Sequence, residues 1–112
     1  MLFAKNLKPP YYAVVFTSLR TEGENGYDAM ARRMAELAAA QPGYLGMESA
    51  RGVDGLGITV SYWQTSADIT AWKANAEHQI AQETGKADWY VHYETRIAKV
   101  ERAYATRPAF SG

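Results

Sequence analysis

Histidine is the side chain best suited to accept a proton near neutral pH, because an ordinary imidazole has a pKa of about 6.5. The chain has two histidines, His78 and His92, in different company. His78 follows Glu77, and Asn75 lies three residues before it. On a helix that spacing puts two side chains at neighbouring positions on one side. A base beside a hydrogen-bond donor can remove a proton from a weakly acidic organic molecule and hold the resulting anion. His92 alternates with Glu94 and Arg96, an arrangement that on a strand presents all three on one face. Arg96 carries a permanent charge and is a second candidate for stabilising a phenolate or enolate. The same trio also suits a salt-bridged face between subunits.

Rings supply the other half of a possible site. All three tryptophans fall between Tyr62 and Tyr104. Tyr62, Trp63, Trp72, Tyr90 and Tyr93 are the expected lining for a planar phenolic ligand, because flat rings grip flat molecules. Cores and subunit interfaces use the same residues, and for Trp72 packing onto a sheet is the competing role. Trp72 and His78 are six apart, about 120° around an ideal helix, so they share a pocket only if the helix breaks near Glu77-His78. In the other arrangement Asn75 and His78 turn together toward a cavity while Trp72 packs onto the sheet.

The remaining signatures are narrowing rather than positive. The sequence has no phosphate-binding glycine loop, nucleophile elbow, zinc motif or dinucleotide fingerprint, and a metal held by His78 and His92 would have few further ligands. With no cysteine there is no disulfide, thiolate metal site or cysteine nucleophile, which suits a reducing cytoplasm. Twelve Lys and Arg balance twelve Asp and Glu, without the basic block that nucleic acid requires. No apolar run approaches the roughly 20 residues of a membrane span. At 112 residues the chain is expected to form one domain that takes further surface from a second subunit.

Positioning these residues requires an ordered set of elements. Residues 1–10 end in Pro9-Pro10 and read as an arm, 11–104 as the domain and 105–112 as a tail. A strand is expected over Tyr11 to Arg20, where Ala13-Val14-Val15-Phe16 is apolar on both faces and asks for cover on both. Asn25 is placed to cap a helix whose stripe is Tyr27, Met30, Met34, Leu37 and Ala38, ended by Pro42-Gly43. Strands over about 44–51 and 56–63 form a hairpin. Ser66 is the expected cap of a second helix that Gly85 stops. A last strand over about 89–103 carries a phase shift between Ile97 and Val100, as a β-bulge would produce.

The order β-α-β-β-α-β is the ferredoxin-like α+β arrangement, with helices on one face of an antiparallel sheet. Its bare face needs a partner, and a twofold homodimer is expected. Ser61-Tyr62-Trp63, Ala71-Trp72-Lys73, Glu77-His78 and Trp89-Tyr90, set in this order of elements, resemble the antibiotic biosynthesis monooxygenase family of dimeric α+β barrels. The resemblance implies oxidation of a small aromatic substrate by O2 without metal or flavin. It also implies His78 as base, Asn75 or Arg96 as donor to the anion, and Trp63, Trp72 and Tyr90 as walls. A haem-degrading branch of the same superfamily uses an Asn on the first strand and a His further along the helix. Here the first strand has no Asn, and Gln82 stands ten residues after Trp72. A non-catalytic binding dimer and an isomerase or cyclase are the other readings of the fold.

Overall fold

The computed structural model describes residues 3–4, 7–23, 26–84 and 89–106, and for residues 79–84 the backbone. The expected alternation is realised as β1 (Tyr11–Arg20), α1 (Tyr27–Ala39), β2 (Tyr44–Arg51), β3 (Leu56–Trp63), α2 (Ser66–Thr84) and β4 (Tyr90–Val100). The four strands form one antiparallel sheet in the order β2-β3-β1-β4, with the apolar β1 at its centre.

Register assigns each side chain to a face, because paired residues share a side and neighbours alternate. Tyr12 pairs with Trp63 and with Lys99, and Val14 with Ser61 and Ile97. This face carries Tyr12, Val14, Phe16, Met47 and Trp63, and both helices lie on it. Its core is Trp63 and Ala38, each 0% exposed, with Ile69, and Tyr12, Val14, Tyr44, Met47 and Trp72 pack around them. The Trp63 indole stacks on Trp72 at 6.0 Å and 23° and meets the edge of Tyr44 at 5.5 Å. Its N–H donates to Ser61 Oγ at 2.9 Å, so the one polar atom of the buried ring is satisfied.

The opposite face carries Tyr11, Ala13, Val15, Tyr62, Glu48, Ile58 and Arg96. It has no helix. Tyr11 and Ala13 are nevertheless buried, each 6% exposed. The arm stands over Tyr11, pinned where the Ala4 N–H donates to Glu48 Oε2 at 2.9 Å. Glycine at 46 permits this approach, since a Cβ there would sit 2.9 Å from the Ala4 Cβ.

Helix ends differ from the sequence expectations in instructive ways. Asn25 lies outside the described residues, and the position before α1 is Gly26 in the left-handed region (φ 78°), with no side-chain cap. The cap of α2 is Thr65 rather than Ser66. The Asp68 N–H donates to Thr65 Oγ1 at 3.0 Å and the Thr65 hydroxyl returns a bond to Asp68 Oδ2 at 2.8 Å. The first bond makes Thr65 the N-cap, with Asp68 at the third helical position, and the second ties the two side chains together. Thr65→Ala is expected to cost about 1 kcal/mol of stability, read as a lowered denaturant midpoint at unchanged slope.

Two further expectations are corrected. The second helix runs unbroken from Ser66 to Thr84, so nothing interrupts it at Glu77-His78; Gly85, its expected stop, lies outside the described residues. The bulge of β4 is at the strand's start, where Arg20 pairs with Tyr90 and Leu19 with His92, leaving Val91 as the extra residue. From His92 to Val100 the register is continuous. The apparent phase shift near Ile97 arises because Lys99 occupies the helix-side phase at the strand end, while Ala98 and Val100 face the other way.

Candidate active site

The helices do not cover the sheet evenly. α1 makes its sheet contacts chiefly with β2 and α2 with β3, and on the helix side of β4 Tyr93 and Ile97 stay exposed, a shelf at this edge of the sheet. Its floor is aromatic. Phe16, Tyr90 and Tyr93 form a triangle of rings with centroids 5.3 to 5.8 Å apart. Tyr93 is 57% exposed and the neighbouring Ile97 54%, values that leave real ring area for a ligand. Tyr90 and Tyr93 are three apart, a spacing that in a regular strand puts them on opposite faces; the bulge at Val91 brings both onto this one.

One end of the shelf is closed by α1 and two arginines. The Tyr27 ring meets Tyr90 edge to face at 5.9 Å and Trp89 at 6.2 Å. The Arg20 guanidinium lies 3.8 Å over the Tyr27 ring, a cation–π contact. Arg51 donates to the buried Ser18 Oγ at 2.8 Å, to the Ser18 carbonyl at 3.3 Å, to the Tyr27 hydroxyl at 3.3 Å and to the Gly55 carbonyl. Burial, followed by a hydrogen bond with Tyr27, holds the Tyr90 phenol well above its ordinary pKa; the two guanidiniums act in the opposite sense and are outweighed. Tyr90 is therefore a neutral hydroxyl at any working pH.

α2 lies on the same face of the sheet. On an unbroken helix, and taking Trp72 as pointing down at Trp63, Ile69 lies about 60° to one side and Asn75 and His78 about 60° and 120° to the other. Ile69 clusters with Ala38 of α1. The Asn75 and His78 flank consequently faces away from α1. Six residues at about 1.5 Å rise set His78 roughly 9 Å beyond Trp72 along the helix, and Phe16 lies four pairs along the sheet from the Tyr12–Trp63 pair. Asn75 is half-buried and His78 exposed.

The ring and charge candidates read from the sequence thus divide into three groups. Tyr90 and Tyr93 form the shelf with Phe16, and Asn75 and His78 lie on α2 on the flank away from Ile69. Trp63 and Trp72 are core residues next to it. Tyr62 and Arg96 are on the other face of the sheet and are not brought to the shelf: Tyr62 pairs with Ala13 and Arg96 with Val15. Tyr62 donates from its hydroxyl to Glu48 Oε1 at 2.6 Å. Arg96 is engaged by Glu94, which His92 also meets at 3.0 Å. The His92 hydrogen bond and the Arg96 charge hold the Glu94 carboxyl below the usual carboxylate range. His92 is on that face too, so it cannot join His78 at one metal. Among the described residues no group of three or more His, Cys, Asp or Glu is arranged to hold a metal ion.

Phe16, Tyr27, Arg20 and Arg51 were not among the candidates. Phe16 shares the phase of Tyr12 and Val14 on β1, and that phase was legible; which side the helices would leave open was not.

A four-stranded antiparallel sheet with two helices on one face, and a site beside the second helix, defines the ferredoxin-like α+β class. Comparison with known proteins agrees and narrows it. The profile of the antibiotic biosynthesis monooxygenase family matches residues 10–84, and the chain belongs to that family. An uncharacterised protein of Bacillus subtilis (strain 168), YqjZ, is 52% identical over 99 residues, covering 88% of this chain and 87% of its own. Among solved structures, a putative antibiotic biosynthesis monooxygenase from Nitrosomonas europaea superposes with a TM-score of 0.69 at 15% identity, covering 85% of this chain and 94% of that one. SnoaB of Streptomyces nogalater, a cofactor-independent oxygenase, gives 0.66 at 12% identity, over 85% and 97% of the two chains. At these identities the two structures establish a shared fold.

Proposed function

We propose that the protein is a monooxygenase that oxidises a small planar phenol, hydroquinone or anthrone with O2, the substrate itself supplying the electrons. The observation that supports this reading is the ring floor of Phe16, Tyr90 and Tyr93, with Tyr93 exposed, on the sheet face that α2 and its Asn75 and His78 share. A flat substrate stacks on the floor. His78 takes its acidic proton, and Asn75 donates to the oxygen that becomes negative. The electron-rich anion then reduces O2. For an anthrone the methylene carbon loses both hydrogens and gains one oxygen atom, and the second oxygen leaves as water. Arg96, which faces the other way, has no part in this scheme, nor has Tyr62.

Oxygen uptake by protein stripped of metal and flavin, measured against a panel of anthrones and hydroquinones, tests the proposal. Stoichiometric uptake with formation of the oxygenated quinone is the expected result. A protein that binds these compounds without consuming oxygen would instead be a binding module or an isomerase.

The working unit is proposed to be a homodimer joined through the helix-free face. Leu56 and Ile58, 49% and 48% exposed, project from that face beside His92, Glu94 and Arg96. The apolar pair favours burial, and the alternating charges favour a twofold match with a second copy. Sedimentation at micromolar concentration should give twice the chain mass; a monomer would count against this assembly.

A further inference from the structure

A cavity of about 540 Å³ opens on the helix-free face, at the end of the sheet remote from Leu56 and Ile58, between the N-terminal arm and the start of the tail. Its volume is in the range of small-molecule sites. Tyr11 and Tyr62 form one corner, their rings 5.6 Å apart and at 85° to each other. Phe3 from the arm and Tyr104 from the tail supply two more rings. Glu48 is the one ionisable acid in the lining, and no described lining residue carries a positive charge. The carboxylate is held in place by neutral donors, the Ala4 N–H at 2.9 Å and the Tyr62 hydroxyl at 2.6 Å. Among the described residues it pairs with no cation.

Four rings around a carboxylate that no cation among the described residues neutralises form a site for a positive charge. Ring faces attract cations, and a partly desolvated carboxylate gains most from an ion that neutralises it. Apart from Thr106 the rest of the lining, Ala4, Leu7, Ala103 and Ala105, is apolar, which favours an organic cation over a hydrated metal ion. We infer that this cavity binds a small organic ammonium ion, its charged head between the Tyr11–Tyr62 corner and Glu48 and its apolar part against the arm and tail. The site is on the opposite side of the sheet from the proposed oxygenase shelf, and the inference does not depend on that reading.

Calorimetric titration of the full-length protein with choline, and separately with its neutral isostere in which carbon replaces the ammonium nitrogen, tests the assignment. Saturable choline binding is expected, with the isostere at least about tenfold weaker and Glu48→Gln weakening choline by a similar factor. Because Glu48 also anchors the arm, a second variant is needed. Tyr104 is 86% exposed, so Tyr104→Ala leaves the core intact while removing one wall, and it too should weaken choline. Absence of saturable choline binding, equal binding of the isostere, or wild-type affinity in both variants would each overturn the inference.

Discussion

His78→Ala is expected to lower oxygen uptake by about 10²- to 10⁴-fold, the range that a positioned general base contributes. The loss should appear in kcat, with KM little changed, because the rings that hold the substrate are on the sheet and not on the helix flank. His78 is exposed, so melting temperature and subunit mass should be those of the wild type. That combination separates a lost base from a lost fold. Undiminished turnover would remove the base assignment and leave proton transfer to solvent, a scheme open only to substrates acidic enough to ionise unaided. A rise in KM at constant kcat would mean that the imidazole binds substrate and does not deprotonate it.

Trp63→Ala is expected to have the largest effect on stability, about 3–5 kcal/mol. The ring is fully buried and contacts both Trp72 and Tyr44, and its removal leaves a void beneath α2 and takes from Ser61 Oγ its indole donor. Against a total stability of roughly 5–15 kcal/mol for a domain of this kind, such a loss brings the native state close to its unfolding limit. Chemical denaturation should show the midpoint falling sharply. Trp63→Phe, which keeps a ring but not the N–H, should lose clearly less. Equal stability of Trp63→Ala and wild type would contradict the placement of this residue at the centre of the core. Activity lost in Trp63→Ala would then reflect collapse of the helix that carries Asn75 and His78, so that variant cannot report on substrate contact.

Much of the fold was legible because its signals are local. The first three strands follow from β-branched and aromatic runs and from proline and glycine at the turns, and each falls where those signals place it. Misreadings occurred where one residue decides between near-equal options. Thr65 and Ser66 are both good caps, and the choice is made by Asp68, whose N–H and side chain both bond Thr65. The β4 bulge was displaced because a lysine on the helix side at the strand end mimics a change of phase. The site was legible in its chemistry and less so in its grouping. Residues an odd number apart on a regular strand take opposite faces, so Tyr62 was bound to part from Trp63, one residue on, and Arg96 from Tyr93, three residues back. What local patterning lacks is the identity of the face that the helices occupy and the part of it that they leave bare. Those depend on long-range pairing, with β1 at the centre of the sheet and α2 displaced toward β3.

The single extra residue at Val91 has a further consequence for how such a chain can vary through descent. Composition around it is free to drift, since another side chain at that exposed position leaves the pairing of Tyr90 and His92 with β1 untouched. Length is not. Loss or gain of one residue between Tyr90 and Tyr93 would put them on opposite sides of the sheet, turning one phenol away from the ring floor while every downstream contact of β4 stayed in place. Relatives that keep the ring floor are thus constrained to keep this count, whatever residues they use to fill it.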